Sequence, residues 1–461
     1  MAGIPESVQR YLTRQALEGR RAFWVGSTVG IDQAVVIPSL AEHDDLLSTL
    51  CSLSANPPSD LARTLIICVV NNREEGIAVS EDIENNQRTL KLLRRLILKD
   101  ISAPDETDGT IKRQCRDVIS SGLRLACIDA ASHGMEMPEK GGGVGPARKL
   151  GLDMALRLFD YCRRTKKLLL SLDADTWVEP HYLPAVRKSF EDRKVHAAVI
   201  SYAHRPEADP TLQAAIYCYE IFLRYYVLGL NFAGSPYAFH AIGSTMVCTS
   251  ESYLAVLGMN RREAAEDFYF LDKLAKLGPM THIHNTTVYP SARLSRRVPF
   301  GTGRRMIRFL EGQQDEYLLY DPEVFRILGR WLTFIPDLVR HDTRQILEMA
   351  AGIHPLLKSF LELHRFQDIW PRIQKNHSDL DALKKQFHVW FDGFKTMKLI
   401  HYLTESAFPQ VEMFDALNTL FGMMDISCAM VMNHKTKSNI DEQRKLVDIL
   451  RNYNQFNMFL T

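Results

Sequence analysis

Through its first two thirds the chain alternates short apolar runs with segments patterned as helices. Ala34-Val35-Val36-Ile37-Pro38 is a β-branched run closed by proline, which predicts a strand entering a loop. Leucines at 46, 47, 50 and 53 then recur at helical spacing within residues 40–53. Leu65 to Val70 predicts a second strand with Asn71-Asn72 as its polar exit. Ser80 is expected to cap a helix that carries Glu81 and Asp82 in its first turn and runs to about Lys99. Ser102 to Lys112 reads as a loop, Leu123 to Ile128 as a third strand followed by Asp129, and Pro146 as the first turn of a helix. Leu168 to Leu172 and Val195 to Ser201 supply a fourth and a fifth strand. Thr211 to Leu230 follows as a helix whose aromatics belong to a core.

His240 to Cys248 predicts another strand, with Gly243 where a ligand or a second backbone approaches closely. Glu266 and Asp267 open a helix, and Thr281 to Tyr289 alternates as a last strand. Beyond Arg305 glycines thin out, and leucine, phenylalanine and tryptophan recur at helical spacing. The fold class expected is therefore α/β: a doubly wound, mainly parallel sheet with helices on both faces, plus an all-α C-terminal domain. The expected boundaries are 1–30 for an N-terminal helical arm, 31–304 for the sheet-bearing domain and 305–461 for the helical domain.

Composition narrows the classes. The 461 residues hold 56 Lys and Arg against 55 Asp and Glu, so no basic stripe points to nucleic acid and an acidic ligand must be met locally. Eight cysteines are scattered without a CxxC pair and read as reduced core residues of a cytoplasmic protein. The first 21 residues lack the apolar core of a signal peptide. The longest apolar stretches are broken by Glu220 and Arg224 and by Asp425, so no bilayer span is expected, while peripheral membrane contact stays open.

The chemistry concentrates at Leu172-Asp173-Ala174-Asp175-Thr176. Two acids at i and i+2, at the end of a strand buried on both faces, sit on the sheet edge where open α/β folds bind ligands. They would repel each other unless a divalent cation with oxygen ligands, Mn2+ or Mg2+, sat between them. Such an ion keeps open positions for phosphate oxygens, which points to a diphosphate substrate. In a surface loop the same pair would be two solvated acids.

Glu266 and Asp267 complement a helix dipole, and at a cleft one of them can serve as general base. His284 is a candidate third metal ligand, although a lone histidine is more often a satisfied structural residue. Gly141-Gly142-Gly143 reads either as a flexible linker or as backbone N–H groups offered to an anion ahead of Arg148. The run Arg293 to Arg305, with Arg297 at its centre, is either a solvated basic loop or an arm over a diphosphate.

Taken together, Val35-Val36-Ile37-Pro38, the glycine-rich entry to Ala147-Arg148-Lys149-Leu150-Gly151, Asp173-Ala174-Asp175 and Glu266-Asp267 resemble the family-2 glycosyltransferases of GT-A fold over about residues 31–304. The resemblance implies that Asp175 binds the metal, that Asp173 contacts a nucleotide-diphosphate sugar donor (UDP- or GDP-linked), and that Asp267 is the catalytic base beside Glu266. It implies further that Pro38, Ser39 and Glu42 cup the nucleotide base, and that Asn71, Asp129, Gly143, Arg148, Gly243 and Arg297 line the donor site. The acceptor is unknown. Two departures stand out: Asn71-Asn72 replaces the usual acidic pair after the second strand, and no Gln-x-x-Arg-Trp motif of processive polymerases is present. Single sugar additions with inversion are expected. Two other readings compete: a haloacid-dehalogenase-type phosphatase with Asp173 as nucleophile, and a non-catalytic nucleotide-sugar-binding scaffold.

Overall fold

The computed structural model describes residues 3–17, 19, 21–73, 78–100, 109–137, 143–261, 265–295, 301–312, 314–335, 338, 341–377, 379–426 and 439–456. Two compact units form, one from Met1–Arg205 with Ala241–Ser291 and one from Pro206–His240 with Ala292–Thr461.

The first unit opens with α1 (Glu6–Gln15) and β1 (Ala22–Val25), then β2 (Gln33–Ser39), α2 (His43–Ser54), α3 (Pro58–Leu61), β3 (Thr64–Asn71), α4 (Ser80–Leu98), α5 (Gly109–Ser120) and β4 (Arg124–Ala130). It continues with α6 (Val144–Leu158), β5 (Leu168–Ser171), β6 (Trp177–Val178), α7 (Tyr182–Ser189) and β7 (Ala197–Tyr202). After α8 (Pro210–Phe232), which belongs to the second unit, come β8 (Met246–Thr249), α9 (Ser250–Ala255), α10 (Glu266–Ala275) and β9 (Thr281–Tyr289).

The strands make one sheet in the order β1-β4-β3-β2-β5-β8-β7-β9-β6. Parallel pairing joins β4, β3, β2 and β5, and β7 with β9, while β1, β8 and β6 run the other way. The sheet is thus mainly parallel, and every residue of β2 and β3 is buried, as uninterrupted apolar runs require. Gly151 lets α6 lie close on this layer, because a Cβ there would run into Val36 and Val69. Pro38 is tolerated in a central strand for a positional reason. Val36, two residues earlier, accepts from Leu172 N at 3.0 Å on the β5 side, and β5 has ended by the level of Pro38.

Several local expectations shift. Ser80 is the first helical residue rather than the cap; extended Val79 precedes it without a side-chain cap bond. Helix α5 begins at Gly109, inside the segment read as loop. Of the 240–248 run only the part from Met246 on is strand, within β8 (Met246–Thr249), and Gly243–Thr245 forms a 3-10 turn. Strand β1 had no counterpart in the sequence reading.

The second unit is helical. α8 packs with α11 (Thr302–Glu311), α12 (Pro322–Thr333) and α19 (Ile440–Phe456), and the unit also holds α13 (Thr343–Ile353), α14 (Pro355–Leu363), α15 (Phe366–Asn376), α16 (Leu380–Trp390), α17 (Gly393–Ser406) and α18 (Met413–Met423). A two-residue ribbon pairs β10 (Leu318–Leu319) with β11 (Val411–Glu412). Tyr225, Phe325, Trp331, Phe366 and Phe387 lie in one apolar core, so the aromatics of α8 pack rather than form a cage. Among the described residues no helix is long and apolar enough to cross a membrane.

Candidate active site

Where β5 ends the chain turns sharply, with Thr176 N donating to Asp173 O at 3.2 Å. Thr49 of α2 fixes the same turn by donating its hydroxyl to Ala174 O at 2.8 Å. Ser244, in the 3-10 turn before β8, holds Asp173 at two points: its Oγ accepts from Asp173 N at 3.1 Å and donates to Asp173 Oδ2 at 2.5 Å. Thr176 Oγ1 lies 3.0 Å from Ser244 Oγ, so its hydroxyl can donate to the oxygen that serves Asp173.

Helix α6 delivers Arg148 to the same place. Gly143 takes φ 102° at its N-cap, a left-handed backbone that favours glycine. The Arg148 side chain is 4% exposed; its Nη2 pairs with Asp173 Oδ1 and its Nη1 with Glu266 Oε1. Gly243 makes this possible, because a Cβ at that position would fall on the guanidinium. The approach expected at Gly243 is therefore that of an arginine side chain.

Glu266 and Asp267 occupy the first turn of α10, where the dipole favours carboxylates. Ala265 before them is left-handed at φ 56°, and Asn260 Nδ2 donates to Glu266 O at 3.0 Å. Burial raises the pKa of Glu266, with Arg148 opposing. For Asp267, half-buried, loss of water contact pushes the pKa up to about 7 and the Glu266 charge adds to the rise, while Arg148 and the Phe268 N–H (2.7 Å) pull the other way. Burial by itself would lower the Arg148 pKa, but Asp173, Glu266 and Asp267 hold it above its ordinary value.

The other sequence candidates fall in several places. Pro38 and Ser39 lie at the carboxyl end of β2, and the buried Ser39 Oγ has no hydrogen-bond partner among the described residues. Glu42 precedes α2 as its N-cap residue. Asn71 ends β3 and gives its carbonyl to Asn86 Nδ2 at 3.1 Å. Asp129 closes a turn after β4, its Oδ1 accepting from Ala131 N at 3.0 Å and Ser132 N at 2.9 Å. Asp175 is half-buried, and its carbonyl accepts from Arg205 Nη2 at 3.2 Å. His284 lies on β9, its Nδ1 3.2 Å from Ser201 Oγ and its ring stacked on His282. Burial lowers the pKa of His284, and that of His282 to about 4. Arg297 lies outside the described residues.

Sequence reasoning missed Ser244, Thr176 and Asn86. Asn86 Oδ1 accepts from the N–H of Ala41, which is left-handed at φ 53°, and so ties the loop after β2 to α4. The Asn85-Asn86 pair on the helix facing that loop was the available signal, since His43 N donates to Asn85 Oδ1 at 2.9 Å.

Among the described residues no three His, Cys, Asp or Glu side chains gather as a preassembled metal cage. The donors suit a different arrangement. Asp173 and half-buried Asp175 are the carboxylates at the end of β5 that could contribute to a cation completed by ligand oxygens, the way Mg2+ and Mn2+ are often held with phosphates.

No family model matches the chain, and no curated protein does. Solved structures with a similar course include S. aureus TarS 1-349, at 11% identity over 78% of this chain and 92% of that one, TM-score 0.35. The same TarS fragment in complex with UDP-GlcNAc aligns at 12% identity over 92% of each chain, TM-score 0.35. The mannosyltransferase PcManGT from Pyrobaculum calidifontis, in complex with GDP-Man and Mn2+, aligns at 13% identity over 98% of this chain and 93% of that one, TM-score 0.34.

Proposed function

We propose that the chain is a glycosyltransferase that moves a sugar from a UDP- or GDP-linked donor to an acceptor hydroxyl, one residue at a time and with inversion. The observation that carries this reading is Arg148, which gathers Asp173 from the carboxyl end of β5 and Glu266 from α10, beside an Asp267 with a pKa of about 7. A carboxyl half-ionised near neutrality is matched to general-base work.

In this reading Asp173, held rigid by Arg148 and Ser244, orients the donor, and Ser39, Asn71 and the loop tied by Asn86 face its nucleotide. Asp175 would hold Mn2+ or Mg2+, which supplies charge neutralisation for the departing diphosphate. The acceptor oxygen attacks the anomeric carbon as the bond to the diphosphate oxygen breaks. That electron pair leaves with the diphosphate, and the acceptor proton passes to Asp267. Attack from the face opposite the leaving group gives inversion.

The test uses the purified chain with UDP- and GDP-sugars and Mn2+, reading thermal shift and nucleotide release. Support requires that one donor both shifts the melting temperature and is turned over, and that Asp267→Asn still binds it without turnover. If no donor of either class binds, the proposal falls.

A further inference from the structure

Helix α1 lies in the first unit, and its contacts reach both elements that carry the acid–guanidinium site. Tyr11 is 6% exposed, and its hydroxyl donates to Asp153 Oδ1 at 2.8 Å while accepting from Lys149 Nζ at 2.7 Å. Both partners are on α6; Lys149 directly follows Arg148 and pairs with Asp153 Oδ2 at 3.0 Å, with side chains 2% and 4% exposed. Tyr253 of α9 closes the network by donating to the same Asp153 Oδ1 at 2.8 Å.

On the other side, rings step from α1 to α10. Tyr11 meets Tyr253 edge-on at 5.8 Å, and Tyr253 meets Phe270 of α10 edge-on at 5.9 Å. The segment leading into α10 is tied to α1 as well. Gly258, left-handed at φ 75°, leaves the space the Tyr11 hydroxyl fills, and Arg261 Nη2 donates to Gln15 O at 3.3 Å. Lys273 of α10 donates to the Val256 and Gly258 carbonyls at 2.8 and 2.9 Å, locking that segment onto the helix.

An amphipathic surface helix needs only apolar contact to dock. Here a buried network of hydrogen bonds and the Lys149–Asp153 ion pair is used as well, and such networks specify one geometry because breaking any of these bonds inside the protein is costly. A rotation or slide of α6 that breaks the Lys149 and Asp153 bonds would also carry Arg148 away from Asp173 and Glu266.

We propose that Tyr11 is a positioning residue: through Lys149 and Asp153 it fixes the rotation of α6, and through Tyr253 and Gly258 it fixes α10, so that Arg148 and the Glu266-Asp267 pair meet in register. The kinetic half of this inference rests on the proposed transferase reading; the structural half does not.

The test is Tyr11→Phe in the full chain, which keeps the ring and removes the hydroxyl. Hydrogen exchange should rise at least tenfold in residues 144–153 and 265–270, with the melting temperature lowered by only a few degrees. With a donor found for the wild type, kcat should fall ten- to a hundredfold and donor KM change less than threefold. Lys149→Met, which keeps the stem and removes the ammonium, should give the same exchange pattern. Faster exchange confined to residues 3–17, or an unchanged kcat, overturns the positioning role. If the wild type turns over no donor, the transferase reading fails, and the exchange pattern alone decides whether α1 braces α6 and α10.

Discussion

Asp267→Asn tests the site most directly, because stability and turnover should respond to it with opposite signs. The carboxyl titrates at about 7 in the folded chain against 3.8 in the open, so the folded state binds that proton more tightly. Its contribution is therefore fully present below about pH 4 and is lost as pH rises through about 7. Holding the ionised form at neutral pH costs on the order of 2–4 kcal/mol, the lower end allowing for Glu266 sharing Arg148. Asparagine has the same shape and never ionises. Urea unfolding should show the variant no more stable than wild type at about pH 4, and more stable by roughly that amount at about pH 8. Turnover should do the reverse: wild-type rate rises about tenfold between about pH 6 and pH 8, following ionisation of the base, while the variant stays near background. A variant equally destabilised at every pH, or one that keeps near-normal turnover, would refute the assignment.

Gly243→Ala pushes a methyl group into the Arg148 guanidinium and separates it from Asp173 and Glu266; a loss of about 3–5 kcal/mol in thermal or urea unfolding is expected, as for other broken buried pairs. Arg148→Lys keeps the charge but replaces a fork with a single ammonium, which cannot bridge both acids, so turnover should fall at least a hundredfold. Asp175→Ala should leave the chain folded, with melting in the absence of ligand lowered by no more than a few degrees. Calorimetry with and without Mn2+ should show that its metal-dependent donor binding is gone.

Much of the sheet was legible because β2 and β3 are buried on both faces and so read as unbroken apolar runs. The acids at the end of β5 were legible for the same reason, since a short buried run that stops at Asp173 has to end at the sheet edge. Strand β1 was not, because Ala22-Phe23-Trp24-Val25 follows a charged segment and becomes a strand only by pairing with β4, about a hundred residues on. The run at 240–248 misled for a local reason: Gly243 looked like a close-approach glycine within a strand, whereas the close approach, by Arg148, falls in the Gly243–Thr245 3-10 turn ahead of the strand. Arg148 binds partners 25 and 118 residues away, and Ser244 reaches Asp173 across 71. Periodicity reports which face a residue takes and is silent about which distant side chain it meets.

The same contacts bear on the phosphatase reading of Asp173. A carboxylate nucleophile must present an oxygen lone pair to phosphorus, yet here Oδ1 is held by Arg148 and Oδ2 by Ser244. Freeing either oxygen breaks a part-buried charge-assisted bond, and hydrogen bonds to charged groups typically contribute about 1.5–3 kcal/mol, roughly one to two powers of ten in rate. The Arg148 guanidinium also withdraws electron density from the carboxylate it pairs with, which lowers its nucleophilicity further. Beryllium fluoride, a phosphate mimic that bonds to nucleophilic aspartates, should therefore leave Asp173 unmodified and the melting temperature unchanged, and simple phosphomonoesters should not be hydrolysed. Stable trapping on Asp173 that is lost in Asp173→Asn would reverse the assignment, making Arg148 a phosphate-binding group and Asp175 the acid/base.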